Sequence, residues 1–73
     1  MIAWKLETPV CTFVIVPHKR EYRLYVEDEF LQSAPTPDAL ADNVFTHTSE
    51  FADWDMSSFD VEDSLSAWET FKI

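Results

Sequence analysis

Hydrophobic residues at the start of the chain fall in two runs that prolines interrupt. Residues 2–6 form a short apolar run followed by Pro9, and residues 10–16 form a dense β-branched and aromatic run followed by Pro17. Such residues favour strands, whereas proline lacks the N–H group that a strand ladder requires. The pattern therefore predicts two strands, each ended by its proline.

Two further strands are predicted from the alternation of apolar and polar positions. Residues 21–26 read Glu-Tyr-Arg-Leu-Tyr-Val, which has the period of a strand with one buried face. A polar turn at residues 17–20 precedes this strand, and Glu27 and Asp28 connect it tightly to residues 29–33. We expect a hairpin, whose turn type stays open because the chain lacks the glycine that primed turns prefer.

A helix start follows the predicted sheet. The Thr36 hydroxyl can cap free backbone N–H groups, Pro37 suits the first helical position, and Asp38 favours the positive end of the helix dipole. The next apolar positions recur at helical spacing. We therefore expect one main helix that ends near residue 46 and packs on the sheet.

The chain beyond Thr48 has no regular period. Its apolar residues stand among acids and serines, so we expect an irregular segment that aromatic side chains hold against the domain. Val61, Leu65 and Trp68 are spaced as on a short terminal helix, whereas residues 68–73 also suit an edge strand. The sequence leaves both structures open for this region.

Together these elements predict an α+β fold. It comprises a small antiparallel sheet of three to four strands, one main helix packed on it, and an irregular acidic aromatic C-terminal segment. With 73 residues, of which 47% are hydrophobic, the chain suits one domain spanning residues 1–73. The expected core residues are Leu24, Val26, Phe30, Leu40, Val44 and Trp68.

Charge is distributed unevenly along the chain. Residues 1–36 carry five acids and four bases, for a net charge of −1, whereas residues 37–73 carry nine acids and one base, for a net charge of −8. Such a field repels nucleic acid and anionic lipid and attracts basic partners. Lys19, Arg20 and Arg23 are too few to form a nucleic-acid platform, and we expect them to balance acids within the domain.

Cysteine usage and targeting signals predict a cytoplasmic protein. Cys11 is the only cysteine and lies in an apolar run, so we expect a buried thiol that forms neither an internal disulfide nor a multi-thiolate metal site. The N-terminal residues lack the pattern of a secretory signal, and no apolar run approaches the ~18 residues that cross a bilayer. We therefore expect no membrane partner.

No set of side chains predicts catalysis, a cofactor or a metal. General acid–base chemistry needs a cleft that shifts a pKa, which we expect a core this small not to provide. His18 and His47 have no second His or Cys at ligand spacing, so capping or solvated roles are expected. The acids around residues 53–60 lack the central glycine of a calcium loop. We expect a protein that is not an enzyme.

Four segments resemble a widespread group of short bacterial proteins of unassigned function, built as a strand hairpin, a helix and an acidic aromatic tail. The segments are residues 25–31 (YVEDEFL), 36–44 (TPDALADNV), 47–48 (HT) and 61–68 (VEDSLSAW). The group's pattern places glycine where this chain has Gln32 and Thr46. The resemblance implies the architecture and no activity.

The acidic aromatic segment is the main candidate for a functional surface. The candidate partner-binding residues are Asp38, Asp42, Glu50, Asp53, Trp54, Asp55, Asp60, Glu62 and Asp63. Exposed aromatic side chains ringed by acids suit a basic, partly apolar partner, although the same aromatics can instead pack inward as core.

Size and charge make the chain similar to phage anti-restriction and anti-CRISPR inhibitors. The expected function is stoichiometric inhibition of a protein with a basic, nucleic-acid-binding surface. The alternative is a bacterial accessory subunit or adaptor that binds through its sheet edge or tail aromatics, with acidity serving solubility. The identity of the partner and the oligomeric state stay open.

Overall fold

The fold is seen in a computed structural model that describes residues 1–73. In chain order the elements are β1 (Ile2–Glu7), β2 (Thr12–His18), β3 (Glu21–Val26), β4 (Glu29–Ala34), the helices α1 (Pro37–Phe45) and α2 (Ala52–Asp55), a 3₁₀ turn (Leu65–Ala67) and β5 (Glu69–Lys72). The five strands form one antiparallel sheet in the order β4-β3-β2-β1-β5. The predicted α+β class is confirmed.

The C-terminal residues supply the fifth strand. β5 pairs with β1, with Ile2 opposite Lys72. Before it, the predicted terminal helix is reduced to the single 3₁₀ turn, because Trp68 already has the extended dihedral angles φ −85° and ψ 145°. Of the two structures open for this region, the edge strand therefore forms, and the predicted count of three to four strands is too low.

Strand β2 does not end at Pro17, as predicted, but continues through it to His18. Pro17 lies opposite Tyr22 of β3. The paired positions of β1 and β2 extend only to Trp4 and Ile15, so proline stands where β2 has lost its neighbour on that side. Strands tolerate proline at such unpaired positions.

The same strand begins later than predicted, because a side chain closes the loop before it. The Thr8 hydroxyl accepts hydrogen bonds from the N–H groups of Val10 (3.2 Å) and Cys11 (2.9 Å) and donates to the carbonyl of Cys11 (2.7 Å). Residues 10 and 11 therefore belong to the β1–β2 loop, and β2 starts at Thr12.

Helix α1 begins and ends with side-chain and backbone caps. Thr36 Oγ1 accepts the Ala39 N–H (3.2 Å), as the sequence predicts. At the other end His47 has φ 59°, its N–H donates to the Val44 carbonyl, and the next N–H donates to the Asn43 carbonyl. This is a Schellman motif with histidine in the left-handed position that glycine usually occupies. The helix has nine residues, and no helix in the structure has the length and apolar character needed to cross a membrane.

The core lies between the sheet and the layer formed by α1 and the C-terminal segment. Its buried residues are Cys11, Phe13, Ile15, Leu24, Val26, Leu40, Ala41, Val44, Trp54 and Trp68. Phe30, which we expected there, is instead 48% exposed on the other face of the sheet. A bulge explains the error: Leu24 pairs with Gln32 but Tyr25 pairs with Phe30, so Leu31 is the extra residue and packs against the core.

Glycine is absent from the chain, and left-handed backbone conformations fall on other residues. Five residues have positive φ angles, namely Lys19, Glu27, Asp28, His47 and Glu50. In the β3–β4 hairpin both turn residues are left-handed, with φ 48° for Glu27 and 71° for Asp28, as in a type I′ turn. A residue with a Cβ atom pays roughly 1–2 kcal/mol for this conformation.

Replacing Glu27 by glycine is expected to raise the free energy of unfolding by about 0.5–1 kcal/mol, since relief of the left-handed strain exceeds the entropy that glycine adds to the unfolded chain. Urea denaturation measures the change. The matched control is Glu29→Gly, because Glu29 lies in β4 and has no positive φ. That control is expected to destabilise, and equal destabilisation by both variants would contradict the account of the turn.

Candidate functional site

Helix α1 and the segment after it lie on one face of the sheet, and we call their exposed acidic residues the acidic layer. Its exposed carboxylates are those of Asp38, Asp42, Glu50, Asp53, Asp60, Glu62 and Asp63. None of them lies within 4.0 Å of a cationic side-chain nitrogen, since all three ion pairs of the protein lie within the sheet. The layer therefore presents uncompensated negative charge to solvent.

The sheet keeps two of its cations in ion pairs. The Lys5 ammonium lies 3.8 Å from the Glu7 carboxylate and 3.6 Å from that of Glu69, and Arg23 Nε lies 3.6 Å from the Glu21 carboxylate. The expectation that Lys19, Arg20 and Arg23 balance acids within the domain is thus confirmed for Arg23 alone, since Lys19 and Arg20 form no ion pair. Such exposed pairs add little stability. No such compensation reaches the acidic layer.

Asp42 on α1 and Asp63 in the C-terminal segment are neighbours although 21 positions separate them. Desolvation and repulsion from the Asp42 carboxylate raise the pKa of Asp63, and a hydrogen bond to Asp42 that only the protonated form can donate raises it further. Folding thus brings two like charges together on an exposed surface. The repulsion between these two carboxylates opposes folding. Carboxyl groups with a shifted pKa are more frequent at functional sites than elsewhere.

Asp63→Asn is expected to stabilise the protein at neutral pH, because it removes this repulsion. The folded-state pKa of Asp63 lies above its ordinary value of 3.8, so the wild type regains the lost stability as pH falls through the folded pKa and the carboxylate becomes protonated. The advantage of the variant should therefore disappear below about pH 4.

Urea midpoints measured from neutral to acidic pH test this prediction. Asp60→Asn is the control, since the Asp60 side chain is exposed and makes no hydrogen bond. A pH-independent gain at position 63, or the same gain at position 60, would show that net charge and not the Asp42–Asp63 contact is responsible.

Asp55 differs from the other acids because it holds the chain before α2. One carboxylate oxygen accepts hydrogen bonds from the N–H (3.0 Å) and hydroxyl (2.8 Å) of Ser49, and the other accepts the Glu50 N–H (2.9 Å). Ser49 is fully buried, and Glu50 has φ 72°. Asp55 therefore stabilises a strained turn, and its carboxylate is already engaged within the protein.

Trp54, also a candidate for partner binding, is completely buried. Its indole N–H donates to the Val44 carbonyl (2.8 Å), its ring meets that of Phe13 edge-on with centroids 5.8 Å apart, and the His47 ring stacks on it at 4.8 Å. This placement corrects its assignment to the partner-binding set. Trp54 is the central anchor that joins α2 to α1 and the sheet.

The other aromatic residues of the C-terminal segment divide between core and surface. Trp68 is buried, Phe51 is half-buried and Phe59 is 48% exposed, while the neighbouring Met56 is 87% exposed. The question whether these aromatics form core or interface is thus answered mainly in favour of core. The surface that α1 and the C-terminal segment present to a partner therefore consists mainly of carboxylates and contains few aromatic rings.

His47 and Cys11 have structural roles. Besides stacking on Trp54, the His47 ring places Nε2 2.8 Å from the Phe59 carbonyl and so ties the C-terminal segment to the end of α1. Burial raises the pKa of the Cys11 thiol, which keeps it protonated at neutral pH. No three His, Cys, Asp or Glu side chains are arranged to hold a metal ion.

The sequence analysis did not use one signal in β2. Residues 12–16 read Thr-Phe-Val-Ile-Val, so β2 is apolar at nearly every position and does not alternate. Such a run is typical of a strand buried on both faces. In the structure Phe13 and Ile15 enter the core, whereas Val14 and Val16 lie on the uncovered face of the sheet.

Comparisons with known proteins find no relative of this chain: no protein-family model, no curated protein and no solved structure matches it. The resemblance to short bacterial proteins with a hairpin, a helix and an acidic tail therefore stays a prediction from the sequence.

Proposed function

We propose that the protein is a stoichiometric inhibitor, without enzymatic activity, that docks its acidic layer on the basic nucleic-acid-binding surface of a partner protein. In size and charge the chain is similar to anti-defence inhibitors of phages and mobile elements. The observation that carries the proposal is the group of seven exposed carboxylates that no cation of the protein approaches. A surface of this kind attracts a basic groove and competes with phosphates for the same lysines and arginines.

Mimicry of a phosphate backbone requires acids from more than one segment. Asp38 and Asp42 on α1 are ~6 Å apart along the helix axis, whereas phosphates of one strand recur every ~3.4 Å of duplex axis. The contact between Asp42 and Asp63 supports the proposal, because it places a second acid from a distant segment beside the helix. Helix and C-terminal segment would thus act as one ligand.

The second candidate function is an adaptor that binds through exposed apolar residues of the C-terminal segment. Phe59 and Met56 favour it, being 48% and 87% exposed within the acidic layer. In this case acidity serves solubility, and binding depends little on salt. Phe59→Ala would then abolish binding, whereas neutralising the surrounding acids would not.

Capture from a lysate of the source cells tests the proposal first. The immobilised protein is expected to retain a nucleic-acid-binding protein at low salt and to release it at high salt or on addition of nucleic acid, because both weaken contacts between the acids and the basic groove. The purified partner should be saturated at one equivalent. Full inhibition at a small fraction of an equivalent would indicate turnover and contradict the non-enzymatic role.

A further inference from the structure

The face of the sheet opposite α1 carries an apolar surface that nothing covers, and we call it the open face. Its apolar side chains come from all five strands and are those of Ala3, Val14, Val16, Tyr25, Phe30 and Phe71. None of them belongs to the core cluster. Ala3 is nevertheless completely buried, which shows that its neighbours pack closely around it.

The open face is nearly flat and has one shallow depression. A depression of about 420 Å³ lies over Val14, Val16 and Tyr25, with Thr12, Glu27 and Asp28 at its rim. Phe30 packs edge-on against Tyr25 with ring centroids 5.8 Å apart, and the Arg23 guanidinium lies 5.1 Å from the centre of the Phe30 ring. An extended flat apolar surface of this kind suits another sheet more than a small ligand.

Charge decides what can approach each face. A second copy, with its net charge of −9, is repelled by the acidic layer. On the open face, the two cations Lys5 and Arg23 stand against Glu7, Glu21 and Glu69 in the three ion pairs of the protein, and Glu27 and Asp28 lie at the rim. With two cations against five acids, compared with seven acids and no paired cation in the acidic layer, the open face is the less acidic side of the sheet. Two copies therefore meet there with the smaller repulsion.

We propose that a second copy of this chain packs on the open face and forms a symmetric dimer with the two sheets back to back and the acidic layers outward. A two-fold axis along β2 places β3 of each copy over β1 of the other, so Lys5 faces Tyr25 and the small Ala3 faces the long Arg23. Lys5 can thus lie over an aromatic ring, and the sizes of Ala3 and Arg23 are complementary. The same register places Glu7 of one copy opposite Glu27 of the other, so some repulsion between like charges persists.

The dimer is weak, because the sheet is small. Five strands ~4.8 Å apart and up to seven residues long give a face of roughly 20 by 20 Å. This is about half of the ~800 Å² that each partner buries in a standard interface. Dimerisation is therefore concentration-dependent, and screening of the mutual repulsion by salt strengthens it. The inference does not depend on the proposed inhibitor function, whose binding should weaken with salt.

Sedimentation equilibrium from micromolar to millimolar protein, at low and high salt, tests the dimer. The wild-type mass is expected to rise from one chain toward two with concentration, and further at high salt. Val14→Glu should weaken association by at least about tenfold, since it buries a charge at the centre of the interface. Met56→Glu is the matched control, because Met56 is 87% exposed in the acidic layer, and it should associate as the wild type does.

Circular dichroism establishes that each variant is folded, and Phe30→Glu replaces Val14→Glu if that protein is unfolded, since Phe30 is already 48% exposed. Two results would overturn the inference. One is a single-chain mass at every concentration and both salts, which would leave the open face to a different protein. The other is a dimer that the folded open-face variant leaves intact.

Discussion

Replacing Trp54 by alanine is expected to lower the free energy of unfolding by about 3–5 kcal/mol, the largest effect of any single substitution considered. The side chain is completely buried between Phe13 and His47, and its indole N–H satisfies the Val44 carbonyl. A domain of 73 residues has a small total stability, so the variant should lose a large part of it. Urea denaturation followed by circular dichroism measures the loss.

Phe59→Ala is the control for this prediction, because Phe59 is an aromatic residue of the same segment but is 48% exposed. Its loss should be small, about 1 kcal/mol or less. If Trp54→Ala unfolds at the same urea concentration as the wild type, the packing of α2 against the sheet is wrong. The expected result also means that loss of partner binding by this variant would report unfolding and not an aromatic contact.

The second large effect concerns binding. Neutralising Asp42, Asp53, Glu62 and Asp63 together, as Asn or Gln, is expected to weaken binding to the captured partner by about 1–4 kcal/mol, roughly five- to a thousandfold. None of these four carboxylates forms an ion pair, so their removal should not destabilise the fold. Asp55 is excluded from the set because its carboxylate holds the turn at Ser49.

A matched variant separates the location of the charges from their number. Glu7, Glu27, Asp28 and Glu29 are four exposed acids of the sheet and its β3–β4 turn, outside the acidic layer. Their neutralisation removes the same total charge. Titration calorimetry should show a small loss of affinity for this control, and equal losses for the two variants would mean that net charge, and not the acidic layer, attracts the partner.

Local signals in the sequence were sufficient for the elements that depend on neighbouring residues. Thr36, Pro37 and Asp38 identify the start of α1 because a cap acts within one helical turn. The alternation of residues 21–26 likewise identifies β3. Each of these features is decided by side chains a few positions apart, where sequence patterns carry direct physical meaning.

The errors arise where distant parts of the chain meet. β5 exists because residues 69–72 find the free edge of β1, which local spacing cannot reveal. Pro17 is tolerated because β1 no longer pairs beside it, and Phe30 leaves the core because a bulge changes the register of β4. In each case tertiary context decides between local preferences.

The negative charge of the candidate site was predictable from the sequence, but which of its residues are exposed was not. The excess of acids after residue 36 is visible in the sequence and becomes an exposed layer in the structure. The burial of Trp54 and the hydrogen bonds of Asp55 depend on the turn at residues 49–50, whose left-handed Glu50 gives no sequence signal without glycine. The neighbouring positions of Asp42 and Asp63 also arise only from folding.

Competition with nucleic acid tests the central claim most directly. A fluorescently labelled oligonucleotide is bound to the purified partner, and its anisotropy is followed as the protein is added. We predict that the wild type releases the oligonucleotide with an end point at one equivalent, that added salt weakens this displacement, and that the variant neutralised at Asp42, Asp53, Glu62 and Asp63 fails to displace it. A stable ternary complex of partner, oligonucleotide and protein would contradict the account, because the acidic layer would then not occupy the site of the phosphates.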